Sequence, residues 1–171
     1  MTEFQQVLSP SDAGTVSGLA REIWQECYAG IVSARQVEYM LTTFQSAEAI
    51  LRQVAAGCRY YIVHDRADGI GYVALRLDED PATAFLSKIY FRAIGRGRGH
   101  GAATLAFGEN LWREAHRTRR WRTVNRHNVR AIAWYERRGF VNEGPILQDI
   151  GSGFVMDDFK YAKMMCGGDG E

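Results

Sequence analysis

The stretch from residue 85 to residue 101 constrains the fold more than any other part of the chain. Phe85-Leu-Ser-Lys-Ile-Tyr-Phe91 sets aromatic and branched apolar side chains at a period of two, which predicts a strand. Arg96-Gly-Arg-Gly-His-Gly101 follows, a glycine-rich turn interrupted by arginine. Beyond it Ala103, Phe107, Leu111 and Ala115 recur at every fourth position, with Gly108 and Trp112 one step on, and predict one face of a helix. A strand, a glycine turn and a helix in that order suit an anion such as a phosphate. Glycine lets backbone N–H groups approach closely, and the first helical turn presents its free donors and positive dipole end. Arg96 and Arg98 would add charge at the same place.

Two familiar phosphate loops do not fit. The dinucleotide fingerprint requires Gly-x-Gly-x-x-Gly, whereas this loop is Gly97-x-Gly99-x-Gly101, and the next strand ends in Val124-Asn125 rather than an acid. The nucleoside-triphosphate loop requires Gly-Lys-Ser/Thr, and no such triplet occurs. Arg/Gln-x-x-Gly-x-Gly/Ala is filled by Arg96, Gly99 and Gly101. In this the loop resembles the acetyl-CoA pyrophosphate loop of the GNAT superfamily of N-acetyltransferases. A second motif lies downstream. After a short strand at 121–125, Asn128-Val-Arg-Ala131-Ile-Ala-Trp-Tyr135-Glu-Arg-Arg-Gly139-Phe140 reads as a helix capped by Asn128 and closed by Gly139, with Arg137 and Arg138 in its last turn. The spacing sets Asn128 and Tyr135 on one face. This run resembles the second GNAT signature, Asn-x-x-Ala-x-x-x-Tyr-x-x-x-Gly-Phe, position for position.

The remaining pattern is consistent with one domain over residues 1–166 and a loose tail at 167–171. A chain of 171 residues that is 46% hydrophobic is long enough to bury a sizeable core. A strand at 4–8 leads through Ser9-Pro-Ser-Asp12 into an amphipathic helix carrying Val16, Leu19, Ala20, Ile23, Trp24 and Cys27. Two shorter helices follow, the second capped by Ser46 and ended by Gly57. Strands at 59–64, 70–77 and 85–91 with short turns predict an antiparallel meander. The last predicted strands are 121–125, 140–144, 146–150 and 158–165, the final pair joined by a loop over 151–157. This order predicts a mixed α/β fold, a mostly antiparallel sheet of about seven strands with helices on both faces. The resemblance implies the same fold, and adds that the fourth and fifth strands splay to admit pantetheine.

Net charge is +1, no apolar run reaches membrane length, and the N-terminus lacks a signal-peptide pattern, so a cytoplasmic protein is expected. Cys27, Cys58 and Cys166 form neither a metal spacing nor a disulfide framework, and no metal is expected. Arg113, Arg117, Arg119, Arg120, Arg122, Arg126 and Arg130 cluster around the fifth strand. A solvated surface is the first reading of that run, attraction of the CoA 3′-phosphate the second and nucleic acid the third, since aromatic stacking residues do not interleave it as single-strand binders have them. No nucleic-acid or membrane partner is expected, and the chain is expected to be a monomer or homodimer.

The GNAT resemblance implies direct transfer of an acetyl group from acetyl-CoA to an amine. It assigns CoA binding to the main chain of Gly97, Arg98, Gly99, His100, Gly101 and Ala102, with Arg96 and Asn128 beside them. Pantetheine would pair with the strand edge at Ile89 and Phe91, and an N–H near Phe91 would polarise the thioester carbonyl. Tyr135 is the implied general acid, since a phenol keeps its proton at neutral pH and can give it to a thiolate. Read without the family, Tyr135 is first of all an amphipathic core residue. No base for the amine is assigned: Asp157, Asp158, Glu79 and Glu26 read first as solvated carboxylates, with Asp157 and Asp158 the residues that would line an acidic groove for a cationic polyamine. Ala93-Ile94-Gly95 departs from the family's usual proline and bulky residue before the loop. The acceptor implied is a primary amine of a small molecule, with weak likeness to the polyamine-acetylating branch. The alternatives are a protein or peptide N-terminal acetyltransferase, a non-catalytic CoA-binding regulator and a nucleic-acid binder.

Overall fold

The computed structural model of the chain describes residues 1–165, so Cys166 and the expected loose tail at 167–171 lie outside the described residues. In chain order the elements are strand β1 (Thr2–Gln6), helices α1 (Pro10–Cys27), α2 (Ala34–Phe44) and α3 (Ala47–Ala55), strands β2 (Arg59–Asp65), β3 (Asp68–Leu77) and β4 (Thr83–Phe91), helix α4 (His100–Glu114), strand β5 (Arg119–Asn125), helix α5 (Val129–Glu136), and strands β6 (Val141–Gly151) and β7 (Phe154–Met164). The seven strands follow the order β1-β2-β3-β4-β5-β7-β6. Pairs β1–β2, β2–β3, β5–β7 and β6–β7 are antiparallel, and β4–β5 is parallel. This is the mixed α/β fold the sequence predicts. Among the described residues no helix is long and apolar enough to cross a membrane.

The chain packs as two compact units. The first comprises Met1–Arg76 and Ser87–Asn110; the second comprises Leu77–Leu86 and the chain from Leu111 onward. In the first unit, α1 starts where Ser9 accepts from the Asp12 N–H and Asp12 accepts in return from the Ser9 N–H, a reciprocal box that satisfies two donors of the first turn. Ser33 and Ser46 cap α2 and α3 by accepting from the Gln36 and Ala49 N–H groups. The apolar face of α1 is buried as its spacing predicts, through Val16, Leu19, Ala20, Ile23 and Trp24. Phe107 of α4 stacks on Phe4 of β1 at 4.0 Å and meets Tyr61 of β2 edge-on. The fully buried stripe of α4 nevertheless runs through Thr104, Leu105, Gly108 and Trp112. Ala103, Phe107, Leu111 and Ala115 are only half-buried, so the face expected from them sits one position off. Gly108 and Trp112, which the sequence reading sets one step on from that face, are the buried ones, with Thr104 and Leu105.

In the second unit, two expectations about the last strands are corrected. Residues 141–151 form one strand, not two. A bulge between Asn142 and Gly144, the latter at φ +119°, carries the strand past a glycine–proline pair which otherwise reads as a break. The loop expected at 151–157 is instead a tight hairpin. Ser152 and Gly153 both take positive φ, 53° and 78°, as the two central residues of a twisted β-turn, so β7 starts at Phe154. The arginine run is corrected as well. Arg119 is bonded to Glu143 at 2.5 Å, Arg126 pairs with Asp157 at 2.7 Å, Arg117 donates to the Asp80 carbonyl at 2.7 Å, and Arg120 and Arg122 are buried. The alternation of β5 turns residues 120, 122 and 124 to one side, where Arg120 lies over the Phe140 ring.

One close approach tests this packing. A Cβ built on Gly71 of β3 would collide with the Tyr90 carbonyl oxygen and lie 2.7 Å from the Phe91 ring of β4. Gly71→Ala should therefore cost about 2 kcal/mol or more, read as a lower denaturation midpoint at unchanged slope. A neutral substitution would contradict the close approach of β3 to β4 at Gly71.

Candidate active site

The loop between β4 and α4 belongs to the first unit. Ala93–Gly95 form one 3-10 turn, and Arg96 is extended. Gly97 and Gly99 then take φ values of +74° and +86°, a region that strongly favours glycine. Both are solvent-exposed, as is Arg98, and a Cβ at either glycine would meet nothing within 4 Å. The open space lies over the start of α4, whose first-turn N–H groups have no carbonyl of their own helix to bond. Gly99 is the last residue before that turn and accepts from the Ala103 N–H. Exposed main-chain donors, an unfilled cradle and a helix N-terminus fit the diphosphate of a CoA molecule.

The side chains of this loop do something different from its backbone. Arg96 donates from Nε to the Phe91 carbonyl at 2.9 Å, from Nη1 to Glu26 at 2.5 Å and from Nη2 toward Cys27 Sγ at 3.4 Å. Arg92 donates twice to Glu22, at 2.9 and 2.7 Å, and once to the Gly69 carbonyl. Glu22 and Glu26 stand one turn apart on α1, so two arginines four positions apart are matched to two carboxylates four apart. His100 is buried and turned away from the loop, with Nδ1 2.9 Å from the Thr2 hydroxyl and Nε2 3.5 Å from Asp65. Arg98 stays exposed at 3.8 Å from Asp65. Of the expected loop residues, then, Arg98 and the backbone face outward, while the Arg96 and His100 side chains fasten the loop to its surroundings. Ile89 and Phe91 are half-buried on β4, whose parallel pairing with β5 covers Thr83–Phe85.

Asn128 and Tyr135 belong to the second unit. Asn128 accepts from the Ala131 N–H at 3.1 Å as the N-cap of α5. Gly139 closes the helix at φ +80°, and the Phe140 N–H returns to the Tyr135 carbonyl. Arg138 lies just past the helix, stacked 3.7 Å over Trp134 and donating to that residue's carbonyl. Tyr135 is 3% exposed. Its ring meets Phe140 edge-on, and Arg122 Nη1 donates to its hydroxyl while the guanidinium lies over its ring. Burial pushes the phenol above its ordinary range, and Arg122 and Arg138 pull it only partly back. Arg122 was missed as a partner of Tyr135 by counting it into a solvated run. The period-two pattern of residues 120, 122 and 124 on a short strand was the signal that could have found it.

A family profile described as an acetyltransferase (GNAT) domain matches residues 56–142, which is more than half of the chain and includes both motifs. The chain belongs to the GNAT acetyltransferases. It is therefore an acyltransferase that uses acetyl-CoA. Solved structures agree on the fold. The PaiA N-acetyltransferase of Thermoplasma acidophilum, crystallised with coenzyme A, superposes with a TM-score of 0.78 at 21% identity, over 96% of this chain and 99% of that one. A GCN5-related N-acetyltransferase of Rhodopseudomonas palustris gives 0.79 at 14% identity, over 96% of each chain. Ard1 of Thermoplasma volcanium gives 0.69 at 17% identity, over 97% of this chain and 99% of that one. No curated protein sequence matches the chain.

In this GNAT chain the glycine conformations carry a specific expectation. Gly99→Ala introduces no clash, so its cost should come from the backbone alone, about 1–2 kcal/mol, together with weaker CoA binding measured by calorimetry. An unchanged melting temperature and an unchanged CoA affinity would contradict the left-handed turn.

Proposed function

We propose that this GNAT enzyme transfers acetyl from acetyl-CoA to a primary amine of a small molecule, a linear polyamine-like amine being the class favoured. Acetyl-CoA supplies the acyl group as an activated thioester. The residues from Gly97 to Ala102 hold its diphosphate through main-chain N–H groups, and Arg98 adds the one outward charge of the loop. Arg96 and His100 serve the same site by holding the loop in shape. The β4 main chain at Ile89 and Phe91 receives the pantetheine arm, and Asn128 contributes beside its capping bond. Residues 1–166 act as a single acetyltransferase domain, working in the cytoplasm as a monomer or homodimer.

The observation that carries the chemistry is the Tyr135–Arg122 pair. A buried phenol with a raised pKa is fully protonated at neutral pH, so it can donate to a leaving thiolate. Arg122 donates to the phenol oxygen without competing for its proton. Once the proton has gone, the same guanidinium stabilises the phenolate left behind. The engaged arginines of β5 weigh against a nucleic-acid partner, because Arg119 and Arg126 are already paired with carboxylates.

Thiol release from acetyl-CoA should be detected with linear primary amines and not with peptides bearing a free N-terminus. A peptide-only response would favour N-terminal acetylation, and no response beside tight CoA binding would favour a regulator. Tyr135→Phe should lower kcat by about 100-fold with little change in acetyl-CoA affinity. Turnover at the original rate would remove the phenol from the mechanism.

A further inference from the structure

Asp158 is the one carboxylate that the sequence reading most misjudged. It is not a solvated surface group: it is 4% exposed, on β7, the strand between β5 and β6. It stands opposite Asn125 on β5 and Ile146 on β6, so its side chain shares the sheet face of Asn125 and Thr123, the face opposite to Arg122. The Thr123 side chain hydrogen-bonds to it, but its Oδ1 has no hydrogen-bond partner among the described residues. Its neighbour Asp157 is different, since that carboxylate is satisfied by Arg126 at 2.7 Å. Burying a carboxylate oxygen without a donor is costly, and folded proteins seldom leave one so unless something else supplies the donor. No charged residue of β6 faces it in register; the charges that act on it are Arg122 on β5 and Asp157 beside it.

We infer that Asp158 receives the ammonium group of the acceptor and takes its proton. This rests on the proposed transfer to a small primary amine and names the residue that recognises that amine. A protonated amine offers three N–H donors and a positive charge, the complement of a buried carboxylate with one unpartnered oxygen. The bound ammonium gives one proton to Asp158, and the freed lone pair forms the C–N bond at the thioester carbonyl. The C–S bond breaks with its electron pair on sulfur, and sulfur takes the phenol proton of Tyr135. The second nitrogen proton and the proton on Asp158 pass to solvent and solvent reprotonates the phenolate, so one proton is released for each amide formed.

Burial holds the Asp158 carboxyl above its ordinary range, against the pull of the Thr123 bond and Arg122 and with the help of Asp157. A proton held more tightly in the folded than in the unfolded state means that stability is lost as pH rises through the folded value. Asp158→Asn removes that loss while keeping the shape of the side chain.

The test compares the intact chain with Asp158→Asn on two acceptors, 1,4-diaminobutane, which is protonated at neutral pH, and 2,2,2-trifluoroethylamine, which is largely neutral there. In the variant kcat/KM for the diamine should fall about 100-fold or more. The loss for the neutral amine should be at least tenfold smaller, with acetyl-CoA affinity unchanged and a melting temperature at pH 7 equal or higher. Equal losses on both amines, no loss on either, or a variant that melts lower would overturn the assignment and leave Asp158 a structural residue. Failure of the unaltered enzyme to acetylate any primary amine would instead overturn the proposed substrate class, and this assignment with it.

Discussion

The loop between β4 and α4, proposed here to hold CoA, is fastened to α1 by two arginine–glutamate pairs. Gly97 and Gly99 can adopt their left-handed conformations, but glycine alone specifies nothing, because it loses more freedom on folding than any other residue. Arg92 and Arg96 supply the restraint. They fix both ends of the 3-10 turn to successive turns of α1 and, through the Phe91 and Gly69 carbonyls, to the strands. Glu22 and Glu26 are about half exposed, so each pair contributes at most about 1 kcal/mol to stability. Their weight lies in geometry. An anion site made of main-chain donors works only if the donors already converge, and the capping box of Ser9 and the buried face of α1 hold the carboxylates that keep them so.

The second unit solves a different problem, that of keeping polar groups under cover. Arg120, Arg122, Tyr135 and Asp158 are all buried there. Stacking meets part of the cost: Arg120 lies over Phe140 and Arg122 over Tyr135. Hydrogen bonds meet another part, through the Arg122 contacts with the Thr123 carbonyl and the Tyr135 hydroxyl. One group left over is the Asp158 Oδ1, and uncompensated burial of a carboxylate is found where chemistry needs it more often than elsewhere.

The sequence was legible where local chemistry decides the structure. Ser9, Ser46 and Asn128 announce helix starts because a side-chain oxygen satisfies an orphan N–H within three residues. Gly57 and Gly139 announce ends because their positive φ does. Both family motifs lie on such local features, and the family was readable from them. It was less legible where a partner distant in sequence decides. Gly144-Pro145 reads as a strand break, yet pairing with β7 turns it into a bulge. Arg96 reads as a phosphate ligand, and only the position of Glu26, seventy residues upstream, shows where its guanidinium goes. Asp158 reads as solvated because nothing in its own segment says that its strand is interior to the sheet.

The central claim is that main-chain donors at the start of α4 hold the coenzyme, and titrating CoA into the 15N-labelled protein tests it directly. The account predicts that the amide resonances of Gly97, Gly99, Gly101 and Ala102 move together, saturate at one equivalent and shift further than those elsewhere in the chain. Saturable CoA binding that leaves these amides unmoved would contradict it.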